Sequence, residues 1–279
     1  MTRARPMLAL FGIPLAVAAA GSVQAAGDFM FGALGAAQSA AARKRVPLAS
    51  SLEEFQDYNR AYALTGGGET EIAADRFAAA YAHSELTVYL YSKAMHEYRK
   101  ENNSARALAM AEKVLRLDAD DPAALVLSAT VLADRMSESD LDREYAAERI
   151  RRRCKHALEI VDTAFAASAN ATAEEIAADK ATLRTMAYSA LGIMELKIGD
   201  FAGAEKDLHV AAEGSRTRPD ARILYHLSLA EDRLQKYTDA LANVNRAMLA
   251  AGNDGNVRKA AAEERRRLED LARGASVQH

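Results

Sequence analysis

The six histidines, His83, His96, His156, His209, His226 and His279, are the natural starting point for catalysis or metal ligation. No two stand four residues apart, as the paired ligands of a zinc-binding helix do, and His96-Glu97 stands alone. The one cysteine, Cys154, excludes an internal disulfide and a cysteine-built zinc or iron–sulfur cluster. It falls on an apolar helical stripe and reads as a buried thiol. No serine sits in a Gly-x-Ser-x-Gly elbow or a Ser-x-x-Lys pair. Gly66-Gly67-Gly68 lacks the Lys-Ser/Thr that a phosphate-cradling loop needs. Asp118, Asp120 and Asp121 alternate like part of a calcium loop, but the glycine and distal glutamate are missing, and Asp121 before Pro122 suits the start of a helix. Arg149, Arg151, Arg152, Arg153 and Lys155 form a basic run that Glu144, Glu148 and Glu159 can pair on a solvated face. These types and spacings supply no nucleophile–base pair, metal set or cofactor loop. The expectation is a protein that is not an enzyme and takes no metal and no cofactor.

The elements that carry these residues read as helices. The chain has 279 residues, 50% of them apolar and 27% charged, with only 15 Gly, 5 Pro and 6% aromatics. Alanine is the commonest residue, and it loses no side-chain entropy in a helix while packing poorly in a sheet. A net charge of −3 offers no global basic field for nucleic acid.

Residues 1–25 have the pattern of a cleavable secretory signal. Arg3 and Arg5 precede an apolar run from Met7 to Ala20, and Val23-Gln24-Ala25 is a small-x-small site with cleavage after Ala25. The run is shorter than the roughly 20 residues a membrane-spanning helix needs, so the mature chain is expected to be periplasmic or secreted with no transmembrane span. Residues 26–49, rich in Gly, Ala and Ser, read as a flexible tether ending near Pro47, and 274–279 as a disordered tail.

From Ser51 onward apolar residues recur at three- and four-residue steps. Ser51 with Glu54, and Thr172 with Glu175, have capping-box spacing. The glycine run reads as the end of the first helix, Ser84 as the cap of the third, and Asn102-Asn103-Ser104 as a turn. Sliding the chain against itself matches Ala73 with Ala107 and Ala80 with Val114 at a shift of 34, and Leu191-Gly192, Ala204, Leu208 and Ala211 with Leu227-Ser228, Ala240, Val244 and Ala247 at a shift of 36. Helix–turn–helix units of this length, with small residues where the helices cross, resemble the tetratricopeptide repeat family. The Phe77–Tyr81–Ser84 turn resembles one found in envelope proteins of that family, with Ala82 in place of its proline.

That resemblance implies an all-α, right-handed superhelix of about five helix pairs at 52–85, 86–121, 122–168, 172–216 and 219–251, within a solenoid over 50–254, closed by a capping helix at 255–273. Helices over about 141–165 and 172–198 exceed the repeat length and are expected to form an elongated hairpin with its tip near 168–172. Ala73, Ala107, Gly192, Ala204 and Ala240 are the structural repeat positions. Carrying the family's groove positions onto this chain gives a partner surface of Tyr58, Tyr62, Tyr89, His96, Arg99, Lys100, Lys197, Tyr225 and Arg233. Tyr91 and Tyr98 are expected to pack between helices. The implied function is a non-enzymatic scaffold of the cell envelope that binds a protein or peptide. The alternative is an all-α enzyme or small-molecule binder with His96, Arg99 and an acid such as Asp232 in the groove.

Overall fold

The computed structural model describes residues 47–137, 141–165 and 171–276; the expected signal segment, the tether up to residue 46 and the hairpin tip at 168–170 lie outside them. The described residues hold eleven helices and no strand. The chain divides into two compact units: the first runs to Asp118 and takes in Thr163–Ala171, and the second comprises Ala119–Asp162 and the residues from Thr172 onward.

In the first unit, α1 (Leu52–Tyr62), α2 (Gly67–Ala80), α3 (Thr87–Lys100) and α4 (Ser104–Leu117) pack in succession. Ser51 caps α1, its hydroxyl accepting from Glu54 N–H at 3.1 Å. Pro47 and Ala49 are buried, so the expected tether is already packed at its last residues. The glycine run does not end α1, which stops at Tyr62; Gly67 and Gly68 open α2 instead. The cause is a close approach. A Cβ on Gly67 would lie 2.2 Å from Cδ1 of the Tyr98 ring, and Gly67 N–H donates to Glu101 Oε1 at 2.7 Å. Carboxylates at the end of α3 thus cap α2 where no local side chain does.

This start moves the register of α2. Thr70, Ala74 and Phe77 are among its buried residues, matching Ala107, Ala111 and Val114 of α4 at 37 residues rather than 34. Ala73, expected at the crossing, is only half-buried, and Ala74 takes the place at 0% exposure. Ser84 likewise sits in the turn before α3 rather than at its cap: Leu86 is the cap residue, and Ser84 Oγ accepts from Leu86 N–H at 3.1 Å.

The second unit holds α5 (Pro122–Arg135), α6 (Arg143–Ile160), α7 (Ala173–Ile198), α8 (Phe201–Gly214), α9 (Ala221–Arg233), α10 (Tyr237–Ala250) and α11 (Gly255–Ser276). Antiparallel neighbours pair as α5–α6, α7–α8 and α9–α10, while α5 also packs on α7 and α7 on α9. Asp121 caps α5 ahead of Pro122, and Thr172 with Glu175 forms a reciprocal capping box on α7. Ala204, Leu208 and Ala211 of α8 and Ala240, Val244 and Ala247 of α10 are all fully buried, 36 residues apart. Of the two expected long helices, α7 has 26 residues, about 39 Å. α6 has only 18 and ends at Ile160, short of residue 165. Asp162 just beyond it receives Arg184 Nη2 at 2.7 Å and Lys180 Nζ through its carbonyl at 3.0 Å, which ties the turn to the exposed half of α7. At the C-terminus α11 continues through Ser276, so the expected tail from 274 begins as helix. No helix of the described residues is long and apolar enough to cross a membrane.

Candidate functional site

The tyrosines of α3 divide between packing and surface according to their helical phase. Tyr91 and Tyr98 face α2 and α4. Tyr98 donates its hydroxyl to Glu71 Oε2 at 2.7 Å and Tyr91 to Asp75 Oδ1 at 2.7 Å. Arg106 pairs with Glu71, and Lys113 with Asp75 at 2.6 Å. Two acids on α2, two rings on α3 and two cations on α4 therefore lock the unit in two rungs.

Tyr89, Lys93, His96 and Lys100 lie on a different stripe, within about 60° of one another at 100° per residue. All but exposed Lys100 are half-buried, and Arg99 at the stripe's edge is exposed. Lys93 Nζ lies 5.1 Å from the centre of the Tyr62 ring, a cation–π distance. Burial and the adjacent Arg99 and Lys100 charges push the His96 imidazole down to about 4, so it is neutral at physiological pH. Burial alone would raise the Glu97 carboxyl, but hydrogen bonds from Lys100 Nζ at 2.6 Å and Gly66 N–H at 3.3 Å hold it below its usual range. Lys100 is thus paired along its own helix. Tyr58 is 3% exposed, its ring 5.4 Å from Tyr62 and 6.2 Å from Phe77, and burial raises its phenol. It is a packing residue that supports Tyr62 rather than a contact residue. In the first unit, then, Tyr62 meets Lys93 of the α3 stripe that carries Tyr89, His96 and Lys100, with Arg99 at its edge. Lys93 was legible in the sequence, four residues after Tyr89 and four before Glu97.

The remaining expected residues sit in the second unit. Lys197 and Arg233 line a cavity of about 310 Å³ together with Arg143, Phe201, His226 and Leu229, and no carboxylate is among its lining residues. Lys197 Nζ donates to the Ala133 and Asp134 carbonyls at 2.7 and 2.9 Å, so its charge sits on the C-terminal end of α5, where a helix dipole favours a cation. Arg233 stacks over Phe201 at 5.5 Å. Tyr225 is not part of this cavity; burial and the charges of Glu264 and Glu263 on α11 raise its phenol. Sequence reasoning missed Arg143, Phe201 and His226, because the cavity draws on the starts and ends of four helices, α6 to α9, that share no motif.

Among the described residues no acid–base pair emerges from these surfaces. Asp232, the acid of the enzymatic alternative, is 8% exposed and paired with Arg267 of α11. Cys154 is 0% exposed, and burial pushes its thiol up to about 12, far from a reactive thiolate. In the basic run, Arg151 bonds Glu148 at 2.8 Å and Arg149 stacks over Tyr145 at 5.9 Å. Among the described residues no group of three or more His, Cys, Asp and Glu is placed to hold a metal ion. No protein-family model matches the sequence, and a search of the curated proteins finds no match.

Proposed function

We propose that this chain is an exported helical-repeat protein of tetratricopeptide type that binds a protein or peptide partner through the first helices of its pairs. The observation that carries this reading is the surface of α3 not used to lock α2 to α4: Tyr89 and Lys93 lie on one stripe with Arg99 at its edge, and Lys93 stands over the Tyr62 ring of α1. Rigid rings flanked by cations give large contact area at low entropy cost, the composition of binding hot spots. The repeat reading is supported by the buried small residues Ala204, Ala211, Ala240 and Ala247 at equivalent places in successive pairs. A partner with acidic and apolar residues complements the surface.

The test is cross-linking affinity purification of the protein from its native envelope, comparing wild type with Tyr89→Ala/Arg99→Ala. The double variant is expected to lose a partner that wild type retains, at unchanged helicity by circular dichroism. Equal recovery of that partner by both proteins refutes the α3 stripe as its site. Export rests on the residue pattern at 1–25, and N-terminal sequencing of the mature protein is expected to begin at Ala26; a mature chain beginning at Met1 would end that part of the proposal.

A further inference from the structure

The cavity of the second unit combines two features that helix packing alone does not explain: an uncovered apolar wall and charge of one sign. It occupies about 310 Å³ between the start of α6, the end of α7, the start of α8 and the second half of α9. That is near the lower end of the roughly 300–1,000 Å³ of small-molecule sites, a size that suits a free molecule rather than a length of chain. Leu196, Ile198, Phe201 and Leu229 line it and are only half-buried, so apolar surface stays in water unless the cavity is filled.

The charged residues lining it, Arg143, Lys197 and Arg233, are all cations. The acids that stand near them are committed elsewhere. Asp134, whose carbonyl receives Lys197, pairs its carboxylate with Arg222. Asp200 caps α8, accepting from Gly203 N–H at 3.0 Å, and Asp232 pairs with Arg267. Glu144 lies 3.7 Å from Arg143 with its side chain 79% exposed, a surface pair of little strength.

Lys197 is held by the carbonyls of α5, whereas Arg233 makes no ion pair among the described residues. Its guanidinium stacks over Phe201 at 5.5 Å, which orients the plane and leaves edge N–H donors for a planar acceptor. One uncommitted guanidinium matches a monoanion, and a carboxylate fits its fork. His226, Leu229 and Arg233 lie within about 60° of one another on α9 at 100° per residue, so one face carries a ring, an apolar side chain and the cation. Burial, then the charges of Arg222 and Lys197, push the His226 imidazole down to about 3, so it stays neutral and offers one N–H to the cavity it lines.

We propose that this cavity binds a small free carboxylate with an apolar body, its carboxylate held by Arg233 in the field of Lys197 and Arg143, and its body against Leu229 and Phe201.

The test is a titration of the full chain with phenylacetate, acetate and phenylacetamide at neutral pH and constant ionic strength, read by amide chemical shifts and melting temperature. Phenylacetate is expected to bind saturably, to shift the amides around Lys197–Phe201 and Leu229–Arg233, and to raise Tm. Acetate, which lacks the ring, and phenylacetamide, which lacks the charge, are each expected to bind about tenfold more weakly. Arg233→Gln, at an exposed position, is expected to keep its helicity and to weaken phenylacetate binding by about fivefold or more. Leu229→Ala is expected to weaken phenylacetate while leaving acetate unchanged. Absence of saturable phenylacetate binding up to about 10 mM overturns the proposal, as does binding that Arg233→Gln leaves unchanged or that phenylacetamide equals. A peptide ending in phenylalanine that binds more tightly than phenylacetate overturns the assignment to a free small molecule. Loss of the α3 stripe as a partner surface leaves these outcomes untouched, since that stripe belongs to the first unit.

Discussion

Gly192→Leu is expected to destabilise the second unit by about 3 kcal/mol, the upper end of what overpacking a core costs. A Cβ placed on Gly192 would stand 2.5 Å from Leu208 Cγ and 3.1 Å from the Leu208 backbone nitrogen. A flexible side-chain tip could swing away from such a contact. Leu208, however, is 0% exposed, and the backbone nitrogen beside it belongs to the body of α8. The helices must therefore separate, which loosens the fully buried Ala204 and Ala211 on the same face of α8. The milder Gly192→Ala already brings the clash, so Leu208→Ala should relieve part of it. The double variant Gly192→Ala/Leu208→Ala is expected to cost less than the sum of the two single changes, the signature of direct contact in a double-mutant cycle. Urea and thermal midpoints measure all three. A Gly192→Leu protein as stable as wild type would contradict the α7–α8 packing.

The same glycine shows why part of the fold was legible. Gly192, Ala204, Leu208 and Ala211 recur 36 residues on as Ser228, Ala240, Val244 and Ala247, and every one of these residues is buried, so local spacing and tertiary packing agree. In the first unit they diverge. The three glycines at 66–68 read locally as a helix terminator, but Tyr98, Glu97 and Glu101, some thirty residues on, supply a ring that only a glycine admits and acceptors for the bare N–H groups. That information is tertiary, and it moves α2 by three residues relative to the spacing of 34. The candidate surface was similarly half legible. Helical phase separated Tyr89 from Tyr91 and Tyr98 correctly, whereas Tyr58 looked equivalent to Tyr62 because both lie on the apolar side of α1, and only packing against Phe77 decides that Tyr58 is buried. Lys197 reads in the sequence as a groove residue, but its use at the end of α5 depends on a contact across 64 residues.

Raising the pH from about 5 to about 8 is expected to lower the stability of the second unit, against the common pattern in which acid destabilises. Glu231 on α9 is 5% exposed and receives Asn243 Nδ2 of α10 at 2.8 Å; burial is the main cause that raises its carboxyl to about 7, helped by the charges of Asp239 and Glu205 and opposed by Asn243 and Lys236. Glu195 on α7 is raised to about 7 by burial and by Asp207 and Asp200, with Arg151 and Lys206 opposing, and its Oε2 is buried without a hydrogen-bond partner. Unfolded, each carboxyl returns to its ordinary value of 4.5. Between 4.5 and about 7 the native state holds protons that the unfolded state has released, so stability falls as pH rises through that window and levels off above it. His226 acts the other way: burial, with Arg222 and Lys197, pushes its imidazole from 6.5 down to about 3, and stability is lost as pH falls through that range. Two carboxyls against one imidazole leave a net decline on the alkaline side. Glu231→Gln keeps the shape of the neutral acid and removes its titration. Relative to wild type it is expected to gain stability as pH rises from 4.5 to about 7, by about 3 kcal/mol at the plateau. Urea midpoints of both proteins across this range decide the matter: a difference that does not change with pH would mean that Glu231 is ionised in the folded protein throughout and that the α9–α10 contact is an ordinary solvated hydrogen bond.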